Sequence, residues 1–269
     1  MKSASGQKIV IIGCGNLAWH LAKTFAAQKK FDLYIYNHQP NKNLAAFKQH
    51  LKCKTQDSLK GIITDADFYF ICVADKFISS ASGKIKTASS DSLIVHASGS
   101  ISIKEINQPN AGVFYPLQTF TKEDVIKWSE IPILIEANKK SDLLKLQHLA
   151  KTFTKTVREA NSAEREKIHL AAVLVNNFTN ALYTAADEFL SDQVKKQELN
   201  FNLLLPLIEQ TALKLRRVSP LKAQTGPAKR NDKPVMKKHI SLLKKNKQVK
   251  KLYKQLSELI SDQQQKQDA

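Results

Sequence analysis

The chain has few cysteines, the residues that form disulfides and bind structural zinc. Its 269 residues include three cysteines, Cys14, Cys53 and Cys72, and their positions match none of the spacings that zinc sites use. We therefore expect three reduced, buried thiols, with neither a disulfide nor a metal site.

Long hydrophobic runs are also absent. No stretch reaches the roughly 18 apolar residues that a membrane-spanning helix needs, and the first ten residues lack the apolar segment of a signal peptide. We expect a cytoplasmic protein that does not bind membranes. Its 42% hydrophobic and 25% charged residues are typical of globular proteins, and its length suffices for two modest domains.

Acidic residues are scarce in the C-terminal part. Between residues 214 and 254 there are fifteen lysines and arginines and one acidic residue, Asp232, which gives this segment +14 of the formal net charge of +18. Such a segment forms either a solvated lysine-rich helical surface or a surface that attracts phosphates. Nucleic-acid binding is the least favoured alternative, because Tyr253 is the only aromatic residue in the segment.

The N-terminal part has the pattern of an α/β fold. Residues 8–12 form an apolar run without alternation, which is typical of a strand buried on both faces of a parallel sheet. Helical spacing follows through residue 29, and a second apolar run at 33–36 completes a βαβ unit. We predict a doubly wound, mostly parallel Rossmann sheet. Its further strands lie at 68–73, 93–96, 113–115 and 133–136, with helices at 77–86 and 141–152.

The second half has a different pattern. No convincing strand follows Ser162, and apolar residues recur at helical spacing over 163–190, a length well beyond the average helix. Further helices are predicted at 201–218, 235–245 and 249–260. We therefore predict two domains, a sheet domain at residues 1–160 and an all-α domain at 161–269.

A glycine-rich turn links the first strand to the first helix. A pyrophosphate binds at a helix N-terminus because unpaired N–H groups and the helix dipole favour an anion there. In the pattern G-x-G-x-x-A, Gly13 makes the tight turn, Gly15 lets the backbone approach the phosphates and Ala18 is the third small residue. The alternative is a turn that needs glycine for steric reasons alone. The candidate cofactor-binding residues of this turn are Gly13, Cys14, Gly15, Asn16, Leu17 and Ala18.

The end of the second strand indicates which cofactor would bind. An acidic residue there would bind the ribose hydroxyls of NAD, but this chain has Asn37, followed by His38. With Gln39, Asn41 and Lys42 nearby, no carboxylate repels a 2′-phosphate, so NADP is favoured over NAD. The alternative is that Asn37 only caps a turn.

Other segments with small and polar residues follow predicted strands, where open α/β sheets bind their ligands. They are Val73-Ala74-Asp75, His96-Ala97-Ser98-Gly99 and residues 114–120, of sequence FYPLQTF. In the helical half, residues 226–232, of sequence GPAKRND, and His239 form a comparable cluster.

With these motifs the chain resembles a family of bacterial Rossmann proteins whose C-terminal helical part is a domain of unknown function. The N-terminal domain is similar to those of pyrroline-5-carboxylate reductase and deazaflavin-dependent NADP reductase. The family patterns are G-x-G-x-x-A, His-x-Ser-Gly, His-Pro-Leu-Gln-Thr-Phe and Gly-Pro-x-x-Arg-Gly-Asp. The matching residues are Gly13, Gly15 and Ala18; His96, Ser98 and Gly99; 116–120; and Gly226, Pro227, Arg230 and Asp232. The chain departs at Tyr115, where histidine is usual, and at Asn231, which replaces a glycine.

The resemblance implies an NADP-dependent oxidoreductase whose substrate is not established. It implies a C-terminal domain like that of 6-phosphogluconate dehydrogenase, and a homodimer formed through the helices with a cleft beside the Rossmann domain. The long helix that contains Val173, Leu174, Phe178 and Leu182 would form the spine of that dimer.

His96 and Tyr115 are the candidate catalytic residues, because reduction of a carbonyl or imine needs a proton donor beside the substrate. The alternative for His96 is a hydrogen-bonded structural histidine. A tyrosine retains a donor but changes the unperturbed pKa from about 6.5 to about 10. Ser98 would bind nicotinamide or substrate, unless Ser-Gly is an ordinary turn.

The candidate substrate-binding residues lie in the helical half. Arg230 suits a carboxylate or phosphate, and Asp232 and His239 lie close to it in sequence; the alternative is an Arg–Asp pair that braces a loop. Asn177, with Asn176, would face the substrate or link helices, because buried amides need partners.

Three functions of different classes follow. The leading hypothesis is an NADP-dependent reductase of a small carbonyl, imine or acidic metabolite. The second is a non-catalytic NADP-binding sensor, since the strongest motifs concern binding. A nucleic-acid-associated protein is the third.

Overall fold

The computed structural model describes residues 6–268, with side chains through residue 266. Residues 1–5, which belong to the segment expected to lack a signal peptide, lie outside the described residues. The chain divides into two compact units, one that ends at Val175 and one that begins at Asn176. We call them the sheet unit and the helical unit and describe each by itself.

The sheet unit contains a single eight-stranded sheet. Its strands are β1 Gln7–Ile12, β2 Phe31–Tyr36, β3 Lys54–Gln56, β4 Phe68–Ile71, β5 Leu93–His96, β6 Ala111–Pro116, β7 Ile133–Ala137 and β8 Val157–Glu159. Their order is β3-β2-β1-β4-β5-β6-β7-β8. All neighbouring strands are parallel except β6 and β7, which are antiparallel. The predicted α/β fold with a doubly wound, mostly parallel sheet is confirmed.

Helices cover both faces of this sheet. They are α1 Asn16–Ala26, α2 Lys42–Leu51, α3 Ile78–Ser82, α4 Lys140–Ala150 and α5 Ser162–Ala172. In β1, Ile9 and Ile11 face the layer of α1, α2 and α4, whereas Val10 and Ile12 face the layer of α3. Both faces of the strand are therefore buried, which explains its apolar run without alternation.

The boundary between the units falls after α5. The sequence places it at residue 160, where strands give way to helices. Contacts group α5 with the sheet, because Arg165 bonds to Glu136 of β7 and His169 bonds to Tyr115 of β6.

Some elements of the sheet unit have no clear sequence pattern. The edge strands β3 and β8 are three residues long and mostly polar, so they lack an apolar run. In α2 only Leu44 and Phe47 are buried, which is too few for a helical stripe. The predicted helix at 77–86 is shorter than expected and ends at Ser82.

The helical unit contains no strand in its described residues. Its helices are α6 Phe178–Gln193, α7 Leu205–Lys214, α8 Pro220–Ala223, α9 Lys233–Leu242 and α10 Lys247–Asp268. The long helix predicted at 163–190 is present as α5, a π turn at Val173–Asn177 and α6. Among the described helices, none combines the length and the apolar character that crossing a membrane requires.

Candidate functional site

The candidate residues of the sheet unit lie along one edge of the sheet. Strands β1, β4, β5 and β6 are parallel to one another, so the segments that follow them meet at the same edge. These segments are the glycine turn and residues 73–75, 96–99 and 117–120. The strand order reverses between β1 and β4, and open α/β sheets bind ligands at such a switch point.

The first glycine of the turn is required by the backbone. Gly13 has a φ of +111°, which L-residues with a side chain rarely adopt. A Cβ added there would lie 2.2 Å from the carbonyl oxygen of Cys72. The N–H of Gly13 also donates to the carbonyl of Tyr36 over 2.8 Å. Gly13 therefore fixes the exit from β1 against the ends of β2 and β4.

The second glycine faces open space. A Cβ at Gly15 would meet no atom within 4 Å, and Gly15 begins α1 without a side-chain cap. The first backbone bond of the helix runs from the N–H of Trp19 to the carbonyl of Gly15. The N–H groups of Asn16, Leu17 and Ala18 precede it and have no acceptor within the helix. This N-terminus can bind an anion that approaches the backbone closely.

A cavity of about 570 Å³ opens in front of this helix end. Its described lining contains two basic side chains, His38 and Lys84, and no carboxylate. Such a cavity suits a nucleotide. The lining residues are Gly13, Cys14, Gly15, Asn37, His38, Asn41, Asn43, Leu59, Cys72, Val73, Ala74, Phe77, Ser80, Ala81 and Lys84.

The loop after β2 is ordered by its asparagines. The amide of Asn37 donates to the carbonyl of Gln39 over 2.7 Å, which supports the alternative that Asn37 caps a turn. Asn37 also lines the cavity. Asn41 caps α2 by accepting from the N–H of Asn43. The amide of Asn43 donates to the carbonyl of Cys14 over 3.1 Å. This last bond joins the start of α2 to the glycine turn.

The segments after β4 and β5 are joined by a hydrogen bond. The hydroxyl of Ser100 donates to a carboxylate oxygen of Asp75 over 2.8 Å. Ser98 accepts from the N–H groups of Ser100 and Ile101, which is the bonding of an ordinary turn. Val73 and Ala74 line the cavity, so this joined loop borders it.

His96 is fully buried at the end of β5. Its side chain has 0% exposure, and its Nδ1 accepts from the N–H of Ser98 over 3.2 Å. Burial and, to a smaller extent, the charge of Arg165 lower the pKa of His96 to about 4. The backbone of Ser102 and the negative charge of Asp75 act in the opposite direction. Nε2 has no hydrogen-bond partner of good geometry among the described residues. Its full burial and the bond to Ser98 favour the structural alternative for this histidine.

Tyr115 is partly exposed and pairs with a histidine that the sequence motifs do not indicate. Its hydroxyl lies 3.1 Å from Nδ1 of His169, and the two rings are nearly perpendicular. Burial raises the pKa of Tyr115, and the charge of Arg165 opposes this effect. A Cβ added at Gly99 would lie 2.6 Å from Nδ1 of His169 and 2.7 Å from Cζ of Tyr115. The Ser-Gly turn therefore packs directly on the pair.

A buried ion pair lies next to these residues. Arg165 is 1% exposed and donates to Glu136 and to the carbonyl of Ile101. Ser162 donates to Glu136 over 2.9 Å and accepts from the N–H of Ile103 over 3.1 Å. The sequence shows both charges at the ends of predicted elements, but nothing in a local pattern pairs residues of β7 and α5.

The candidate residues of the helical unit have local partners. Asp232 caps α9 by accepting from the N–H of Val235, whereas Arg230 is exposed. No ion pair between them occurs in the described residues, so the structure does not support the alternative of an Arg–Asp brace. His239 Nδ1 lies 2.9 Å from the hydroxyl of Tyr253. Asn177 is exposed at the end of the π turn.

All three thiols are free, and burial suppresses their ionisation. Cys14 and Cys53 are buried, while Cys72 as a whole residue is only partly buried. Burial raises the pKa of Cys53 to about 11 and that of Cys72 to about 12. It also raises the pKa of Cys14, an effect that Lys122 opposes. No cluster of possible metal ligands occurs within residues 6–268.

The fold and this edge define a Rossmann-type protein of the dinucleotide-binding class. Residues 8–99 match the family model described as NADP oxidoreductase, coenzyme F420-dependent, and residues 131–260 match the domain of unknown function DUF2520. A candidate NADP oxidoreductase from Bacteroides fragilis has a solved structure with a TM-score of 0.87. It is 33% identical, over 97% of this chain and 100% of that one. This chain belongs to the same family of Rossmann-type oxidoreductases with a DUF2520 C-terminal domain, as the resemblance predicts.

More distant solved structures share the fold. A Thermotoga maritima protein is 19% identical with a TM-score of 0.74, over 97% of this chain and 100% of that chain. A Plasmodium falciparum pyrroline carboxylate reductase with NADP bound is 12% identical with a TM-score of 0.61, over the same shares. No curated protein sequence matches the chain.

Proposed function

We propose that this protein is an NADP-dependent oxidoreductase that reduces a small carbonyl or imine compound. One observation carries the proposal: the uncapped N-terminus of α1, with Gly15 facing open space, borders a cavity whose described lining has no carboxylate. Two structural relatives support it, the Plasmodium reductase with NADP bound and an Aspergillus terreus reductive aminase in complex with NADPH and ethyl levulinate.

The choice of NADP over NAD rests on charge. A carboxylate at the end of β2 would repel a 2′-phosphate and bind the ribose hydroxyls of NAD instead. Asn37 holds that position here, and His38 and Lys84 border the same cavity. Their positive or neutral donors favour the more highly charged cofactor.

Tyr115 is the proton donor in this proposal. When bound, a reduced nicotinamide would supply a hydride to the carbon of the C=O or C=N bond. The developing charge on oxygen or nitrogen then needs a proton from a side chain within hydrogen-bond reach. Tyr115 is partly exposed at the edge, whereas His96 has no exposed surface. We therefore assign the donor role to Tyr115 and a structural role to His96.

A direct test measures the binding of NADPH and NADH by calorimetry. In Gly15→Asp the added carboxylate would occupy the open space in front of α1. We expect NADPH binding to weaken by at least about 100-fold, since placing like charges together costs several kcal/mol. Asn200→Asp is the control, because it adds the same charge in the helical unit and can keep its cap on Asn202.

The outcomes separate the alternatives. Stronger binding of NADPH than of NADH, lost only in Gly15→Asp, supports the proposed cofactor site. Equal binding by the wild type and Gly15→Asp would contradict it. NADPH binding without any oxidation of NADPH by carbonyl or imine compounds would support the sensor instead.

We also propose that the helical unit forms a homodimer. Large apolar side chains are exposed along its first two helices and the segment between them, more than scattered surface residues would explain. A second copy can cover this surface by two-fold symmetry, because the same patch meets itself. The exposed residues include Phe178, Leu182, Leu199, Leu203, Leu205, Leu207, Leu213 and Leu215.

The molar mass in solution tests this assembly. Leu207→Lys places a charge within the patch and is expected to halve the mass measured by light scattering. Leu144→Lys is the control, because Leu144 is similarly exposed but belongs to α4 of the sheet unit. A wild-type mass equal to that of one chain would rule the dimer out.

A further inference from the structure

Helix α5 carries two functional groups on one face. Arg165 and His169 are four residues apart, which is about one helical turn. Arg165 is held by Glu136 of β7 and by the carbonyl of Ile101. Ser162, one turn earlier, is bonded to Glu136 as well. This bonding fixes the first turns of α5 on the sheet and thereby sets the position of the His169 ring.

Packing also fixes the pair formed by Tyr115 and His169. The side of the pair next to Gly99 has no room for a Cβ. The hydroxyl of Tyr115 and Nδ1 of His169 are 3.1 Å apart, which is within hydrogen-bond distance. The contact is therefore part of the packed structure, and it joins the proposed donor to a second titratable group.

Among the titratable groups near Tyr115, His169 is the one suited to exchange a proton with it, because the others are already engaged or are exposed to solvent. The titratable groups on the elements around the pair are Arg165, Glu136, His96 and Asp75, together with Glu164, Glu166 and Lys167 of α5, which are exposed to solvent. Arg165 and Glu136 are bonded to each other, His96 is neutral, and Asp75 accepts from Ser100. Histidine is also the side chain that titrates near neutral pH.

We propose that His169 is a positioning residue that holds the Tyr115 hydroxyl and restores its proton after each reduction. This inference rests on the proposed function. As the hydride reaches carbon, the O–H bond of Tyr115 breaks and its proton passes to the substrate oxygen or nitrogen. The protonated His169 ring then gives its Nδ1 proton to the phenolate and becomes neutral. Water restores the ring proton, so one hydride and one proton are consumed in each cycle.

The direction of the hydrogen bond provides a test that does not depend on a substrate. In the relay, charged His169 donates to Tyr115, so the bond stabilises the charged ring. The neutral ring that the relay leaves accepts from Tyr115, but this bond is weaker than the charge-assisted one. In a purely structural pair only the neutral bond forms, with Tyr115 donating to Nδ1, so the bond stabilises the neutral ring. Removing the hydroxyl therefore has opposite effects in the two cases.

The experiment is an NMR pH titration of the histidine rings in the full chain, with and without NADPH. The His169 signals are identified by their loss in His169→Gln. In Tyr115→Phe we expect the His169 signals to shift at a pH lower by about one unit, since a hydrogen bond to a charged group is lost. Tyr253→Phe is the matched control, because it removes the hydroxyl from the pair with His239 and should leave His169 unchanged.

An unchanged or higher midpoint in Tyr115→Phe would overturn the relay. Calorimetric titration of the same samples with NADPH keeps the two proposals separate. If NADPH binds and the His169 midpoint does not fall, only the relay is wrong. If NADPH does not bind the wild type, the proposed function fails, and the relay fails with it.

Discussion

The sheet unit and the helical unit differ most in how their apolar side chains are covered. In the sheet unit, residues such as Ile9, Phe25 and Phe114 have 0% exposure. In the described part of the helical unit only Ala228, Leu243 and Ser257 are buried, while Leu207 is 65% exposed. The sheet unit buries its own apolar core, whereas the helical unit leaves many large apolar side chains exposed.

If substitutions of apolar residues in the two units lowered the free energy of unfolding equally, this difference between the units would be contradicted. Phe114 packs edge-on against Phe70 and Phe153 at ring distances of 5.4 and 5.5 Å. We expect Phe114→Ala to lower the free energy of unfolding by about 4 kcal/mol, because it leaves a cavity in a closed core. Leu207→Ala should change it by less than about 0.5 kcal/mol. Denaturant unfolding at a concentration where the chain is monomeric measures both.

A pH dependence of stability should come from the sheet unit. Because the folded pKa of His96 is about 4, below the usual 6.5, the unfolded chain binds a proton more readily between these values. The stabilisation is complete above about pH 6.5 and is lost as the pH falls towards 4. Its full size is on the order of 3 kcal/mol. Denaturant unfolding at pH 7 and at pH 4.5 measures this loss.

The control for that measurement is His96→Asn, whose carboxamide oxygen can still accept from the N–H of Ser98. This variant should lose less stability between pH 7 and pH 4.5 than the wild type. An equal loss in both proteins would assign the pH dependence to other groups.

A smaller loss of stability than that of Phe114→Ala is expected at a helix cap of the helical unit. Asp232 caps α9 through the N–H of Val235, and Asp232→Ala should cost about 1 kcal/mol of helix stability. Hydrogen exchange in α9 should accelerate, while exchange in β1 stays the same. Asp232→Asn retains a capping oxygen and should behave like the wild type. Faster exchange throughout the sheet would show that the units unfold together.

Local patterns predict the parts of this molecule that local forces determine. Residues 8–12 had to be a buried strand because both faces are covered, and Gly13 is required by its own backbone angle. Both features can be read from neighbouring residues. The edge strands β3 and β8 could not, since their residues are mostly polar and their pairing depends on the adjacent strand.

The pairings around the proposed proton donor could not be predicted from the sequence. Tyr115 stood out through a family motif, but its partner His169 lies 54 residues away. Arg165 and Glu136 are 29 residues apart, and each alone has the pattern of an exposed charge. Their pairing depends on how α5 packs on the sheet, which no spacing within either segment specifies.

Because the three native cysteines are protonated, they should react slowly with thiol-labelling reagents. Alkylating reagents attack the thiolate, and burial raises the pKa values of Cys14, Cys53 and Cys72. A cysteine introduced at an exposed position outside the proposed dimer patch, such as Leu144, would therefore be the fastest to react. A spin label or fluorophore attached there would report distances between copies without removing any native cysteine.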